Sequence, residues 1–293
     1  MADGKRVVLY TTDPCGFCRQ AKALLKSRGI PYEEINLAKD PVGRADLVQL
    51  TGQMTFPQIL IGQRPLGGFR ELLEADRVLH LYTRERGRVG AVAKGVRKVR
   101  SRFGGRLEPL FRVNLVLHEG KGELCTVTSA STVNAHATLR DRHDALQRAT
   151  QACDAVLRLF DSEEPNAAAY NLLCHELMLL DTDPAAATRA QALAFRLKLL
   201  LAAGFLPELA GCASCGEREH LGAFSASAGG VVCAGCEAGS FPLDADAHEF
   251  MVAALGRPLA EVPTAPETAL RQADRAITET LEHHAHVRLA RVA

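Results

Sequence analysis

The chain has 293 residues, 47% hydrophobic and 24% charged, with a formal net charge of +1. This is ordinary globular composition with length for two or three domains. No apolar run is long enough to span a membrane, and the short apolar stretch near the start lacks a cleavage pattern, so a cytoplasmic protein with no membrane partner is expected. Overall charge identifies no polyanionic partner, which leaves that question to local clustering.

The first predicted strand is Arg6 to Tyr10, followed by Thr-Thr-Asp-Pro and Cys15-Gly-Phe-Cys18. From Cys18 to Ser27 the pattern turns helical, with Ala21, Leu24 and Leu25 on one face and Gly29 as a stop. A strand over Tyr32 to Leu37 and a helix over Asp40 to Leu50, ended by Gly52, come next. Phe56-Pro57-Gln58 leads into a third strand, and Gly67-Gly68 turns the chain into a short helix. The sum is a βαβ unit followed by a hairpin.

Six of the nine cysteines form three C-x-x-C pairs: Cys15/Cys18, Cys212/Cys215 and Cys233/Cys236. In a cytosolic chain such pairs point to redox or metal chemistry. At a strand-to-helix junction Cys15 meets exposed N–H groups and the helix dipole, which favour its thiolate. Thiolate is the attacking species in disulfide exchange, and Cys18 one turn later can resolve the mixed disulfide. The alternative is an inert or metal-binding pair. Cys125, Cys153 and Cys174 lie among apolar residues and read as small buried hydrophobes.

With these residues in place, the stretch from Val7 to about Asp76 resembles a glutaredoxin. The resemblance implies Cys15 as the nucleophile of a thiol-disulfide oxidoreductase and glutathione as its co-substrate. It also places the glutathione site along Thr55, Phe56 and Pro57, a cis-proline loop in that family, and at Gly68. Three positions depart from the family pattern. Gly16 replaces a proline, Thr12 stands where a lysine often meets a glutathione carboxylate, and Arg70 falls where an acidic residue often receives the glutamyl amine.

Between Arg84 and Arg112 the balance turns basic: Arg84, Arg86, Arg88, Lys94, Arg97, Lys98, Arg100, Arg102, Arg106 and Arg112 face only Glu85 and Glu108. Alternation through Val89–Ala93 and Leu107–Leu117, punctuated by glycines, suggests short strands. Short strands, glycine turns and a basic face suit a small OB-type β-barrel, which binds nucleic acid through a positive groove with aromatic stacking. Phe103 is the candidate stacking ring, with a core position as its alternative; the charges can equally be read as solvated strand faces.

The segment EADRVLHLYTRERGRVGAVAKGVRKVRSRFGGRLEP, and above all Ser101 to Pro109, resembles the N-terminal barrel of the RecO family. By that resemblance Lys94, Arg97, Lys98, Arg100, Arg102 and Arg106 fall on its DNA-facing loop and strand. RecO-like barrels begin with a strand and a turn just before the glutamate matching Glu74, a place held here by glutaredoxin-like sequence from Gln58 to Leu73. Either the barrel borrows the Ile59–Ile61 strand, or it lacks its first strand, or the two coding segments are joined in error.

From His136 to Leu209 leucines and alanines recur at helical spacing, interrupted by linkers at 162–166 and 181–184. These stripes read as core, and the stretch from Phe195 to Leu209 again resembles RecO-family sequence. Cys212/Cys215 and Cys233/Cys236 are separated by seventeen residues, Gly216 to Val232, a strong zinc-ribbon spacing. Four thiolates close the coordination shell, so the expected zinc is structural and folds Gly211 to Ser240. A last helix is expected after Pro263 and Pro266, with His283, His284 and His286 at its solvated end.

The expected fold is multidomain α+β. A thioredoxin-like (glutaredoxin) α/β domain covers 1–76, an OB-fold DNA-binding domain 77–135, and a helical domain 136–293 with an inserted four-cysteine zinc ribbon at 211–240. The RecO resemblance implies a non-catalytic mediator of DNA recombination and repair. Such a protein binds single- and double-stranded DNA, anneals strands, acts with RecR and the single-strand binding protein tail, and serves a recombinase indirectly at the nucleoid. The rival reading is a glutathione-linked oxidoreductase with a passive C-terminal module.

Overall fold

The computed structural model describes residues 7–27, 30–62, 64–73, 77–93, 103, 105–120 and 124–292. Two compact units form, one from residues up to 77 with 92–104, the other from 78–91 with 105–293.

The first unit runs β1 (Val7–Thr11), α1 (Gly16–Ser27), β2 (Tyr32–Asn36), α2 (Pro41–Thr51), β3 (Gln58–Ile61), β4 (Arg64–Gly67) and α3 (Phe69–Leu73). Its sheet has the order β2-β1-β3-β4, with β1 parallel to β2 and antiparallel to β3. Strand side chains alternate between faces, so neighbouring residues feed two cores. Leu9 and Ile59 pack with Ala21, Leu25 and Leu72 on one side, while Leu60 packs with Leu37 and Leu47 on the other. Asp40 accepts the Gly43 N–H to cap α2, and Gly52 ends it in the left-handed conformation.

This sheet removes one of the three alternatives left at the junction. Ile59–Ile61 is bonded to β1 on one side and to β4 on the other, so this strand is not lent to a second sheet.

A second four-stranded sheet comprises β5 (Arg77–Thr83), β6 (Gly87–Ala93), β7 (Arg112–His118) and β8 (Cys125–Asn134), in the order β5-β6-β8-β7. Val89, Ala91 and Ala93 are buried along β6 at a period of two. The strand expected from Leu107 starts only at Arg112, because Pro109 and the positive φ of Leu110 (66°) hold the preceding residues in turns. Strand β8 has no counterpart in the sequence reading; its Ser-Ala-Ser-Thr run is small and polar, and its burial pattern does not alternate cleanly.

Helices α4 (His143–Leu159), α5 (Ala167–Thr182) and α6 (Arg189–Ala203) follow. Asn166 and Thr188 cap α5 and α6 by accepting N–H groups of Ala169 and Gln191. α6 is buried from Gln191 to Leu197 and again at Leu199 and Leu200, so its sides all meet protein. Strands β9 (Leu221–Ser225), β10 (Gly230–Cys233) and β11 (Phe241–Pro242) then form a sheet of order β10-β9-β11. Helices α7 (Ala245–Gly256) and α8 (Glu267–His284) close the unit. Leu193, Leu197 and Leu200 pack in one core with Phe224, Val231, Phe250, Met251 and Ile277, which joins the small sheet to the helices. Fully burying one such leucine contributes about 1.5–3 kcal/mol. No helix among the described residues is long and apolar enough to cross a membrane.

Candidate functional sites: a thiol pair, a cysteine cluster and a basic segment

Cys15 stands immediately before α1 and acts as its N-cap. Its Sγ accepts the Cys18 N–H at 3.0 Å, and its carbonyl accepts the Arg19 N–H at 3.3 Å. Cys15 and Cys18 are joined by a disulfide with Cα atoms 5.3 Å apart. Cys18 is 2% exposed and packs inward, whereas Cys15 is half-buried, so an attacking sulfur would have access at Cys15.

The expected glutathione residues gather around this pair. The Phe56–Pro57 peptide is cis, and the Phe56 carbonyl oxygen lies 3.9 Å from Cys15 Sγ. Thr55 is exposed and Pro57 buried. Gly68 sits against the same loop: a Cβ placed there would be 3.2 Å from the Pro57 carbonyl oxygen. The Gly68 N–H is already bonded to Glu71 Oε2 at 2.7 Å. Sequence reasoning missed Arg44, whose guanidinium donates to the Leu37 carbonyl at 2.7 Å and to Thr12 Oγ1 at 2.8 Å. It also lies 5.5 Å from the Phe56 ring centroid. A cation therefore reaches the Thr12 position from α2, a placement that no local pattern reveals.

The second sulfur site is built by two knuckles. The Gly216 N–H donates to the Cys212 carbonyl at 2.8 Å, and Gly216 takes φ +80°, a conformation glycine adopts without strain. Cys233 ends β10, and the Ala213 N–H donates to the Val231 carbonyl at 2.8 Å, bringing the two knuckles together. The sulfurs of Cys212, Cys215, Cys233 and Cys236 all lie within 4.8 Å of one another. Zinc bound tetrahedrally at about 2.3 Å from each sulfur requires sulfur–sulfur edges of about 3.8 Å; Cys215 and Cys233 are 3.7 Å apart. The donor set and its spacing fit zinc.

The site is anchored to the rest of the unit through Glu208. Its N–H donates to the Gly229 carbonyl, and its carbonyl accepts the Val231 N–H, both at 2.9 Å. A Cβ on Gly230 would lie 2.2 Å from the Glu208 carbonyl oxygen, so only glycine allows this approach.

Of the expected DNA-facing residues, Lys94, Arg97, Lys98, Arg100 and Arg102 lie outside the described residues. Arg106 is exposed. Phe103 is 1% exposed, so its ring is a core group and is not presented to a base; the stacking role is corrected to packing. Within the wider basic stretch, Arg86 is held by Glu119 and Glu163, and Arg88 Nη1 donates to the Leu157 carbonyl at 3.2 Å. The Arg112 guanidinium stands 6.0 Å from the centroid of the Tyr170 ring.

Of the three lone cysteines, Cys125 is buried, while Cys153 and Cys174 are only partly covered. The apolar surroundings of Cys153 push its thiol up to about 12, which disfavours the thiolate. His283 and His284 are exposed at the end of α8, where His284 Nε2 meets the Ala226 carbonyl at 2.7 Å.

Comparison with known proteins follows these sites along the chain. Residues 7–66 match the family model Glutaredoxin, residues 68–136 Recombination protein O N terminal, and residues 143–291 Recombination protein O C terminal. DNA repair protein RecO of Rubrobacter xylanophilus is 35% identical over 215 residues, spanning 72% of this chain and 84% of the relative. DNA repair protein RecO of Anaeromyxobacter sp. strain K is 37% identical over 226 residues, spanning 74% and 88%. Among solved structures, a buckwheat glutaredoxin–glutathione complex is 34% identical, covering 23% of this chain and 64% of that protein, with a TM-score of 0.22. Glutaredoxin from Brucella melitensis is 40% identical, covering 23% and 73%, also with a TM-score of 0.22.

Proposed function

The chain belongs to the RecO family of DNA repair proteins and carries a glutaredoxin module at its N-terminal end, and on that premise we propose that it is a recombination mediator that anneals DNA strands. The observation that carries this reading is the match to 84% of a relative named DNA repair protein RecO.

In this reading the β5-β6-β8-β7 sheet is part of an OB-type barrel, and the domains divide near residues 76 and 135. Lys94, Arg97, Lys98, Arg100, Arg102 and Arg106 neutralise phosphates of single- and double-stranded DNA. Basic residues already held by carboxylates, such as Arg86, contribute less, because an incoming phosphate must displace Glu119 and Glu163. RecR and the tail of single-strand binding protein are the protein partners, a recombinase is served indirectly, and the work takes place in the cytoplasm at the nucleoid.

Cys212, Cys215, Cys233 and Cys236 hold structural zinc as a closed ribbon. A shell filled by four thiolates has no open position for a water or substrate, so the ion organises the fold. In the N-terminal module Cys15 attacks and Cys18 resolves, with glutathione resting along Thr55, Phe56, Pro57 and Gly68. Arg44, bonded to Thr12, supplies the cation for a glutathione carboxylate that a lysine supplies in other glutaredoxins. The thiol chemistry is an added module and not the main function.

The test is annealing of complementary oligonucleotides coated with single-strand binding protein. The full chain should accelerate duplex formation over the coated strands alone. An unchanged rate at every protein concentration would refute the mediator reading.

A further inference from the structure

Strands β5 and β7 are the two ends of the order β5-β6-β8-β7, each with one strand neighbour among the described residues. In a flat sheet three strand spacings, about 14 Å, would hold these edges apart and facing opposite ways. Here residues of both strands line one cleft of about 440 Å³, so the sheet is curled and its edges face a common gap. Helices α4 and α5 complete the cleft with Leu157, Leu173 and Leu177. An edge strand presents N–H and C=O groups along its open side, and another strand is the natural partner for them.

Coverage within the sheet is uneven. On the central strand β6, Val89 and Ala91 are 1% and 0% exposed. On β7 the inward set, Val113, Leu115 and Leu117, is only half-buried, and all three residues line the cleft. Tyr82 of β5 lines it too, and its hydroxyl is buried without a hydrogen-bond partner among the described residues. Arg84 and Arg112 stand exposed in the lining, opposed there by Glu85, while Arg86 is taken up by Glu119 and Glu163. The cleft thus combines an apolar floor short of cover, strand edges on two sides and a cationic rim.

We propose that this cleft takes an extended peptide of a partner protein, with apolar residues at alternate positions and acidic residues at its ends. The peptide lies between β5 and β7 and forms a hydrogen-bonded ladder with both. Its apolar residues, all on one face of the strand, meet Val113, Leu115, Leu117 and the helix leucines. Its acidic ends meet Arg84 and Arg112. A single-stranded nucleotide chain shares the negative charge, but it has no row of amides to match two strand edges. The aliphatic floor likewise favours side chains over bases, which stack on aromatic rings.

The experiment titrates the full chain into a fluorescent peptide of alternating threonine and valine with glutamates at both ends. Anisotropy should rise to saturation, and amide hydrogen exchange should slow in β5 and β7 while β9 to β11 are unchanged. N-methylation along the peptide backbone keeps its side chains and removes its ladder donors, and should weaken binding about tenfold. Leu115→Asp should weaken it by a similar factor. Arg84→Ala combined with Arg112→Ala changes only exposed side chains and should weaken binding several-fold without disturbing the fold. Absence of saturation, equal binding of the methylated peptide, or protection outside β5 and β7 would overturn the proposal. Protection of the same strands by oligothymidylate in the peptide's place would assign the cleft to nucleic acid. Protection that grows with protein concentration alone would assign it to a second copy of the chain. Either result overturns the proposal as well.

Discussion

Glu176, on α5, is 1% exposed and accepts a hydrogen bond from the Gln191 side-chain amide on α6. Burial raises its carboxyl from 4.5 to about 7, with the Gln191 bond and the Arg148 charge acting in the opposite direction. The folded protein therefore holds this proton more tightly than the unfolded chain. Between pH 4.5 and about 7 the folded state binds more protons, so stability falls as pH rises through that window. At about 1.4 kcal/mol for each tenfold change in proton affinity, ionisation removes roughly 3 kcal/mol above pH 7. Glu176→Gln keeps the shape and cannot ionise. Gln191 Oε1 is a buried acceptor without a partner among the described residues, and either a protonated carboxyl or an amide can donate to it. Urea unfolding of parent and variant at pH 5 and pH 8 isolates the effect, because the other titrating groups cancel in the difference. The variant should gain about 2–3 kcal/mol on the parent between the two pH values. An identical difference at both would show that Glu176 is already ionised at pH 5 and paired with a cation such as Arg148, refuting the argument.

Three further outcomes follow from other sites. Gly230→Ala drives a methyl onto the Glu208 carbonyl, 2.2 Å from the new Cβ, and should destabilise the second unit by about 2–4 kcal/mol in denaturant melts. Arg44→Ala removes the guanidinium bonded to Thr12 and should raise the KM for glutathione several-fold in the hydroxyethyl disulfide assay, with a smaller change in kcat. Chelation of zinc should speed proteolysis within residues 211–240 while helix content from α4 to α6 persists, which limited digestion and circular dichroism would report together.

Much of this architecture was legible because its causes are local. Cys18, Ala21 and Leu25 are buried at the helical spacing that marks α1, and Leu193, Leu197 and Leu200 meet the core at theirs. The two cysteine knuckles come together as their spacing implies. What escaped depends on long-range placement. Strand β8 is stabilised by its pairing with β7, and its small polar residues show no alternation of their own. Phe103 is surrounded by arginines in sequence, yet the chain turns its ring inward. Arg44 and Glu176 look like ordinary helix charges until tertiary packing sets one against Thr12 and buries the other beside Gln191.

The measurement that bears most directly on the mediator account is binding of the full chain to fluorescent single-stranded DNA across a salt series. Several phosphate contacts should make log affinity fall steeply and linearly with log salt, by about 0.7 per phosphate neutralised. Replacing Lys94, Arg97, Lys98, Arg100, Arg102 and Arg106 with alanine should flatten that slope. No binding at low salt, or a slope unchanged by the six substitutions, would contradict the account.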